Sequence, residues 1–230
     1  DLNEYARSLG YNVTFEFITM DAEAQAAIHL QRVQELHDMG INLIIGGRWS
    51  SQAQASLEYI NENNILLFSP SSTSPLLAIE GDNLFRMCPN DLAQGEAIAE
   101  ILRSWGIDAI IILQRGDPWA DGLYNVLEDE FTARGGTILA RVRYAVEVTE
   151  FSSYLEHMEE VAQEAVEKYG WEHVAVQCFC FSEIVTLITQ AQDYPTLYNL
   201  TWFGCDGTAF VQQVIDDAPE QADKLKLLFG

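Results

Sequence analysis

At 230 residues, with 48% hydrophobic and 20% charged side chains, the chain has the apolar content for one large domain or two small ones and lies outside the compositions of disordered chains. Twelve Lys plus Arg stand against thirty-five Asp plus Glu, and the resulting net charge of −23 repels a phosphate backbone, which excludes nucleic acid as a partner. No apolar run approaches the roughly 18 residues that cross a membrane.

In chain order, "DLNEYARSLG" reads as the end of an amphipathic helix already open at Asp1, so a piece of a longer protein is expected. "YNVTFEFIT" (11–19) alternates and is rich in β-formers, which predicts a strand. A helix over 22–40 closes at Gly40, an apolar strand follows at 41–47, and a helix starts at Ser50 or Ser51 as its cap. Strands are predicted at 65–68 and 83–88. Beyond them come a helix over 92–106, a strand at 108–113, a helix over 119–136 and a strand at 137–144. A helix over 152–170, a strand at 173–181, a helix over 182–194, a strand at 200–205, a short helix at 208–217 and an apolar end at 224–230 complete the chain.

Strands apolar on both faces, alternating with helices, predict parallel sheets covered on two sides. The alternation restarts after "FSPSSTSPLLAIEGDNLFRMCPND", which lacks a helical period and holds three of the six prolines. Two α/β lobes are therefore expected, residues 1–87 and 88–230, with the chain crossing near Arg86 to Asn90.

In open α/β sheets, ligands lie beyond the carboxyl ends of the strands, where helix N-termini present free N–H groups. That rule selects "GGRWSS" (46–51), "SPSSTS" (69–74), "QRGDPW" (114–119), "CFCFS" (178–182) and "FGCDG" (203–207). The first two offer hydroxyls and amides to a carboxylate, through Ser50, Ser51, Ser71, Ser72 and Thr73. Asp206 offers an anion to an ammonium, while Trp49, Trp119, Phe179 and Phe181 offer apolar walls. Together they describe a pocket for an α-amino acid. Each has a plainer reading beside it: Ser50 and Ser51 as a cap, the hydroxyl loop as a turn, Asp206 as a turn residue, the tryptophans as core.

Catalytic motifs are missing: there is no G-x-S-x-G elbow, P-loop, G-x-G-x-x-G or H-E-x-x-H, and nothing pairs a nucleophile with its base. Neither enzyme activity nor a cofactor is expected. Cys88, Cys178, Cys180 and Cys205 form no CxxC pair, no histidine completes a zinc spacing, and free buried thiols are expected.

"LIIGGRWSSQAQA", "ILLFSPSSTSPLL", "LFRMCPNDLAQGEAIAEIL" and "IIILQRGDPWADGLYNVLEDEFTARGG" follow one another at spacings that resemble the type I periplasmic binding proteins of branched-chain amino acid transporters. The loop "SPSSTSP" is similar to that of the extracellular amino acid receptors sharing the fold. The resemblance implies two doubly wound parallel-sheet lobes that close like a Venus flytrap, with the first lobe incomplete. It implies that Ser51 and Ser71 to Thr73 hold a carboxylate, that Asp206 meets the ammonium, and that Trp119 and Phe181 lie against the ligand. Trp49 stands where smaller residues are common, and Cys178 and Cys180 flank Phe179 where glycine or tyrosine is frequent.

The function implied is an extracytoplasmic solute-binding protein, membrane-anchored in its parent, which passes an amino acid or small amide to the permease of an ABC importer. A sensory ectodomain with the same pocket is the alternative, and a hydrolase on a doubly wound sheet a third reading. A signal peptide with a lipid-anchored cysteine would mark the first, and a transmembrane helix with a cytoplasmic module the second.

Overall fold

The structure, a computed structural model, describes residues 1–228. Helices α1 (Leu2–Ser8), α2 (Ala26–Asp38) and α3 (Ser50–Glu62) accompany strands β1 (Leu43–Ile45), β2 (Leu66–Ser69) and β3 (Leu84–Arg86). These strands form a parallel sheet in the order β1-β2-β3. After the crossing come α4 (Leu92–Ser104), β4 (Ala109–Arg115), α5 (Pro118–Ala133), β5 (Thr137–Tyr144), α6 (Ser152–Tyr169) and β6 (Val174–Phe179). Helix α7 (Ile184–Gln190), β7 (Thr201–Phe203), α8 (Gln212–Asp217) and α9 (Pro219–Lys224) follow, and the second sheet is parallel in the order β5-β4-β6-β7. The predicted apolar end reaches a bridge between Leu228 and Phe203, and its last two residues lie outside the described ones.

The second sheet is built as a continuous apolar run should be. All seven residues of β4 are buried. Ile110 and Ile112 pack with Ile98, Leu102, Leu123 and Phe131, while Ile111 and Leu113 turn to Leu155, Met158, Ile184 and Leu187. Helices thus cover both faces. Because the chain runs from β4 out to β5 and then back past β4 to β6, the order reverses between β4 and β6. Their carboxyl ends, Arg115 to Asp117 and Cys180 to Glu183, flank this switch point, where such sheets bind ligands.

The first sheet departs from the expectation of two covered faces. Ile44, Leu67 and Leu84 pack on Val33, Leu36, Ala53 and Ile60, yet the other face is bare. Leu43, Ile45 and Met87 are 60%, 71% and 73% exposed, and Phe85 lies beside Phe68 on the same side, the two rings tilted with centroids 5.7 Å apart. A contiguous apolar face of this kind drives association. The isolated chain is expected to bind an apolar dye and to self-associate at micromolar concentration. Ile45→Lys with Met87→Glu should restore a monomer while changing stability by only about 0.5 kcal/mol, as exposed sites do. Light scattering decides it, and a monomeric wild type that binds no dye would contradict it.

The strand predicted at 11–19 is absent. Tyr11, Val13, Phe15 and Phe17 are exposed, and among the described residues the segment pairs with no neighbouring strand. The backbone of Phe15 is taken up instead by the side chain of Asn3, whose Oδ1 accepts from its N–H and whose Nδ2 donates to its carbonyl. Residues 15–24, α2 and β1 line a cavity of about 700 Å³, with Arg32 Nε of α2 donating to the Asp21 carbonyl at 3.0 Å. Alternation makes a strand only where the segment pairs with a partner edge, and this one makes no such pairing among the described residues. The helix at the start runs from Leu2, and the Asp1 carboxylate accepts from the Asn3 N–H.

Candidate ligand site

The hydroxyl loop folds back on the turn after β1. Ser69 and Ser72 both donate to the Gly47 carbonyl, at 2.6 and 2.5 Å, and Ser71 donates to the Arg48 carbonyl at 2.8 Å. The Ser74 N–H donates to Ser50 Oγ at 3.2 Å, and the Ser74 hydroxyl donates across to the Pro118 carbonyl at 2.6 Å. Most of these hydroxyls therefore shape the loop. Ser50, Ser69, Ser72 and Ser74 are buried with protein partners. Ser51 and Thr73 stay half-exposed, and among the described residues no protein acceptor meets either N–H. The N-cap of α3 is Trp49 rather than Ser50 or Ser51, and Gln52 Oε1 accepts the Trp49 N–H at 3.3 Å. The result is a helix N-terminus and a loop with open amides, a setting suited to an anion.

Beside the loop stands a carboxylate that the sequence reading passes over. Asp91 precedes α4, the place of an ordinary N-cap, but Asn90 Oδ1 accepts the Leu92 N–H there. The Asp91 main chain is tied to the loop, its N–H donating to the Thr73 carbonyl at 2.9 Å. The side chain is 3% exposed, and its Oδ2 has no hydrogen-bond partner among the described residues. Burial pushes the Asp91 carboxyl up to about 6, the nearby Asp206 charge adding to it while the Thr73 hydroxyl and Arg86 pull the other way. Gln94, one turn along α4, also has a buried oxygen without a donor. Acceptors gathered without donors favour a ligand that supplies N–H groups.

Aromatic rings close the third side. Phe181 stacks on Trp119 at 4.5 Å and on Trp49 at 5.6 Å, so a ring from the first sheet's loops meets rings from the second's. Trp119 is 4% exposed and backs on Gly207, where an added Cβ would sit 2.7 Å from its ring. The Arg115 guanidinium lies 4.6 Å from the Phe181 centroid, held by Asp117 at 2.6 Å and Glu183 at 2.8 Å. Asp117 also caps α5 by accepting the Ala120 N–H, and the Tyr144 hydroxyl donates to Glu183. Burial raises the Tyr144 hydroxyl far above its usual range, which keeps it a donor. At Gly122 on α5 an added Cβ would lie 2.6 Å from Ser74 Oγ, so the two halves touch through glycine.

Of the residues singled out in the sequence, Trp49, Phe181 and Trp119 meet ring to ring, and Asp206 lies close enough to act on the Asp91 charge. Ser51 and Thr73 are half-exposed, Ser71 is exposed, and Ser50 and Ser72 are buried with protein partners. Asp91 and Glu183 lie outside the stretches that the strand-end rule selects, and Arg115 lies within one of them with no role assigned. An Asp before a helix looks like a cap, and charges at strand ends look like surface. The four cysteines are free thiols, three of them buried, and burial pushes the Cys205 thiol up to about 12.

Comparison with known proteins agrees with this architecture. A protein of Methanocaldococcus jannaschii, MJ1266, itself described only as uncharacterized, is 30% identical over 98% of this chain and 54% of its own length. A leucine binding protein LivK of Thermotoga maritima superposes with a TM-score of 0.72 at 22% identity, over 93% of this chain and 58% of that one. An ABC transporter substrate-binding protein of Desulfitobacterium hafniense, solved in complex with Leu, gives 0.66 at 21% identity, over 89% and 59%. The chain thus spans a little over half the length of these relatives. Residues 1–226 match the family described as the receptor family ligand binding region, and the chain belongs to that family.

Proposed function

We propose that the chain is the binding portion of an extracytoplasmic solute-binding protein that takes a small α-amino acid between two lobes, residues 1–87 and 88–230. In this reading the amides and hydroxyls of Ser51, Ser71 and Thr73 receive the carboxylate. Asp206 and Asp91 receive the ammonium, Trp49 and Phe181 wall the side chain, and Ser50, Ser72 and Trp119 brace the site. The parent, anchored outside the membrane, passes its ligand to the permease of an ABC importer. Support comes from the solved relatives, one in complex with Leu and one described as leucine binding.

The observation that carries the reading is the buried Asp91 oxygen without a donor, beside Asp206 and tied to the same loop as the open Thr73 amide. A zwitterion supplies the missing donor and the missing anion at once. A thermal-shift screen of amino acids and small carboxylates tests it. A ligand at 100 times its Kd adds about 2.7 kcal/mol, which moves the Tm of a chain this size by several degrees. A screen in which no amino acid shifts the Tm would reject the reading.

A further inference from the structure

We propose that Trp49 sets the specificity of this site and limits it to amino acids with small side chains, an inference that rests on the amino acid reading above. A carboxylate at the Ser51 and Thr73 amides and an ammonium at Asp91 and Asp206 fix two substituents of the ligand's Cα. The third must leave toward the aromatic wall. There the Trp49 indole, two residues before Ser51, lies stacked on Phe181 at 5.6 Å with an interplanar angle of 23°. The wall behind it cannot retreat. Phe181 rests on the buried Trp119 at 4.5 Å, and Trp119 and Phe181 both press on Gly207, where even a Cβ would come within 2.7 and 2.8 Å of their rings. Arg115 lies 4.6 Å from the Phe181 centroid and is pinned by two carboxylates, so it does not yield either. Trp49 is the half-exposed member of the stack that comes from the first sheet's loops, so in the proposed pose it is the ring that a branched side chain would meet. Room for such a side chain comes from removing the indole.

Calorimetric titration of glycine, L-alanine, L-leucine and L-phenylalanine into the wild-type chain, Trp49→Phe and Trp49→Ala tests this. Wild type should hold glycine or alanine at least tenfold tighter than leucine. Trp49→Ala should tighten leucine tenfold or more relative to alanine, with Trp49→Phe between them. Equal affinity of wild type for alanine and leucine, or a uniform loss for all four ligands in Trp49→Phe or Trp49→Ala, overturns the role of Trp49 alone. Failure of wild type to bind any of the four would remove the amino acid reading itself and this inference with it. Should Trp49→Ala not fold, the wild-type series and Trp49→Phe still decide.

Discussion

Asp91→Asn is expected to make the chain more stable and a poorer binder at once. The carboxyl is buried and raised to about 6, above the ordinary 3.8 that stands for the unfolded chain. With the folded value the higher one, folding favours the protonated form. The group therefore costs most stability above pH 6, and the cost fades as pH falls toward 4. A shift of two units corresponds to about 3 kcal/mol at pH 7 or above, an upper bound of which the neutral amide should recover about 1–3 kcal/mol. Urea melts of the two proteins should separate at pH 8 and converge as pH falls to about 4. In the same variant an ammonium loses a charged partner of about 1.5–3 kcal/mol, roughly tenfold or more in Kd. Wild type should show the linked effect, binding amino acids about tenfold more weakly at pH 5 than at pH 7, because the ligand must first displace a proton. Melts that coincide at pH 8, or affinity that ignores pH, would mean the carboxyl is solvated.

Arg115→Ala is expected to act the other way and to cost stability. The guanidinium is 6% exposed and answers two carboxylates, Asp117 at 8% and Glu183 at 18% side-chain exposure. Removing it leaves two acids facing each other in a dry site, a change that costs about 3–5 kcal/mol. Phe181 also loses the cation beside its ring, which loosens the wall Trp49 leans on. Asp117→Asn and Glu183→Gln added to Arg115→Ala should restore part of the loss, since they remove the stranded charges. A single-variant loss below about 1 kcal/mol would show that the three groups behave as a surface network.

Much of the fold is legible in the sequence, because the buried strands announce themselves. "AIIIL" has no polar face to present, and β4 indeed contacts helices on both sides. "TILARVRY" coincides with β5, bounded by glycines before it and a turn after. The segment 11–19 misleads because alternation records a preference for a pleated surface and is silent on whether a neighbour exists. The bare face of the first sheet is equally silent, since Leu43 and Ile45 look like core in any apolar count. At the site, hydroxyls and aromatics at strand ends can be picked out by position. Their division of labour cannot. Ser51 and Ser72 are alike in sequence, yet one is half-exposed and the other is buried and committed to Gly47. Asp91 is hidden for a physical reason: Asn90, next to it, takes the capping role that an Asp before a helix suggests.

The central claim is that this cleft reads an ammonium and a carboxylate together. The most direct measurement is a paired titration of the wild-type chain and Asp206→Asn with an amino acid and its deaminated analogue, L-alanine and propionate. Asp206→Asn keeps the side-chain shape and removes the charge that bears on Asp91. The account expects L-alanine to weaken by roughly tenfold or more in the variant, at about 1.4 kcal/mol per decade, while propionate stays unchanged. Equal losses for both ligands, or none for either, would contradict it.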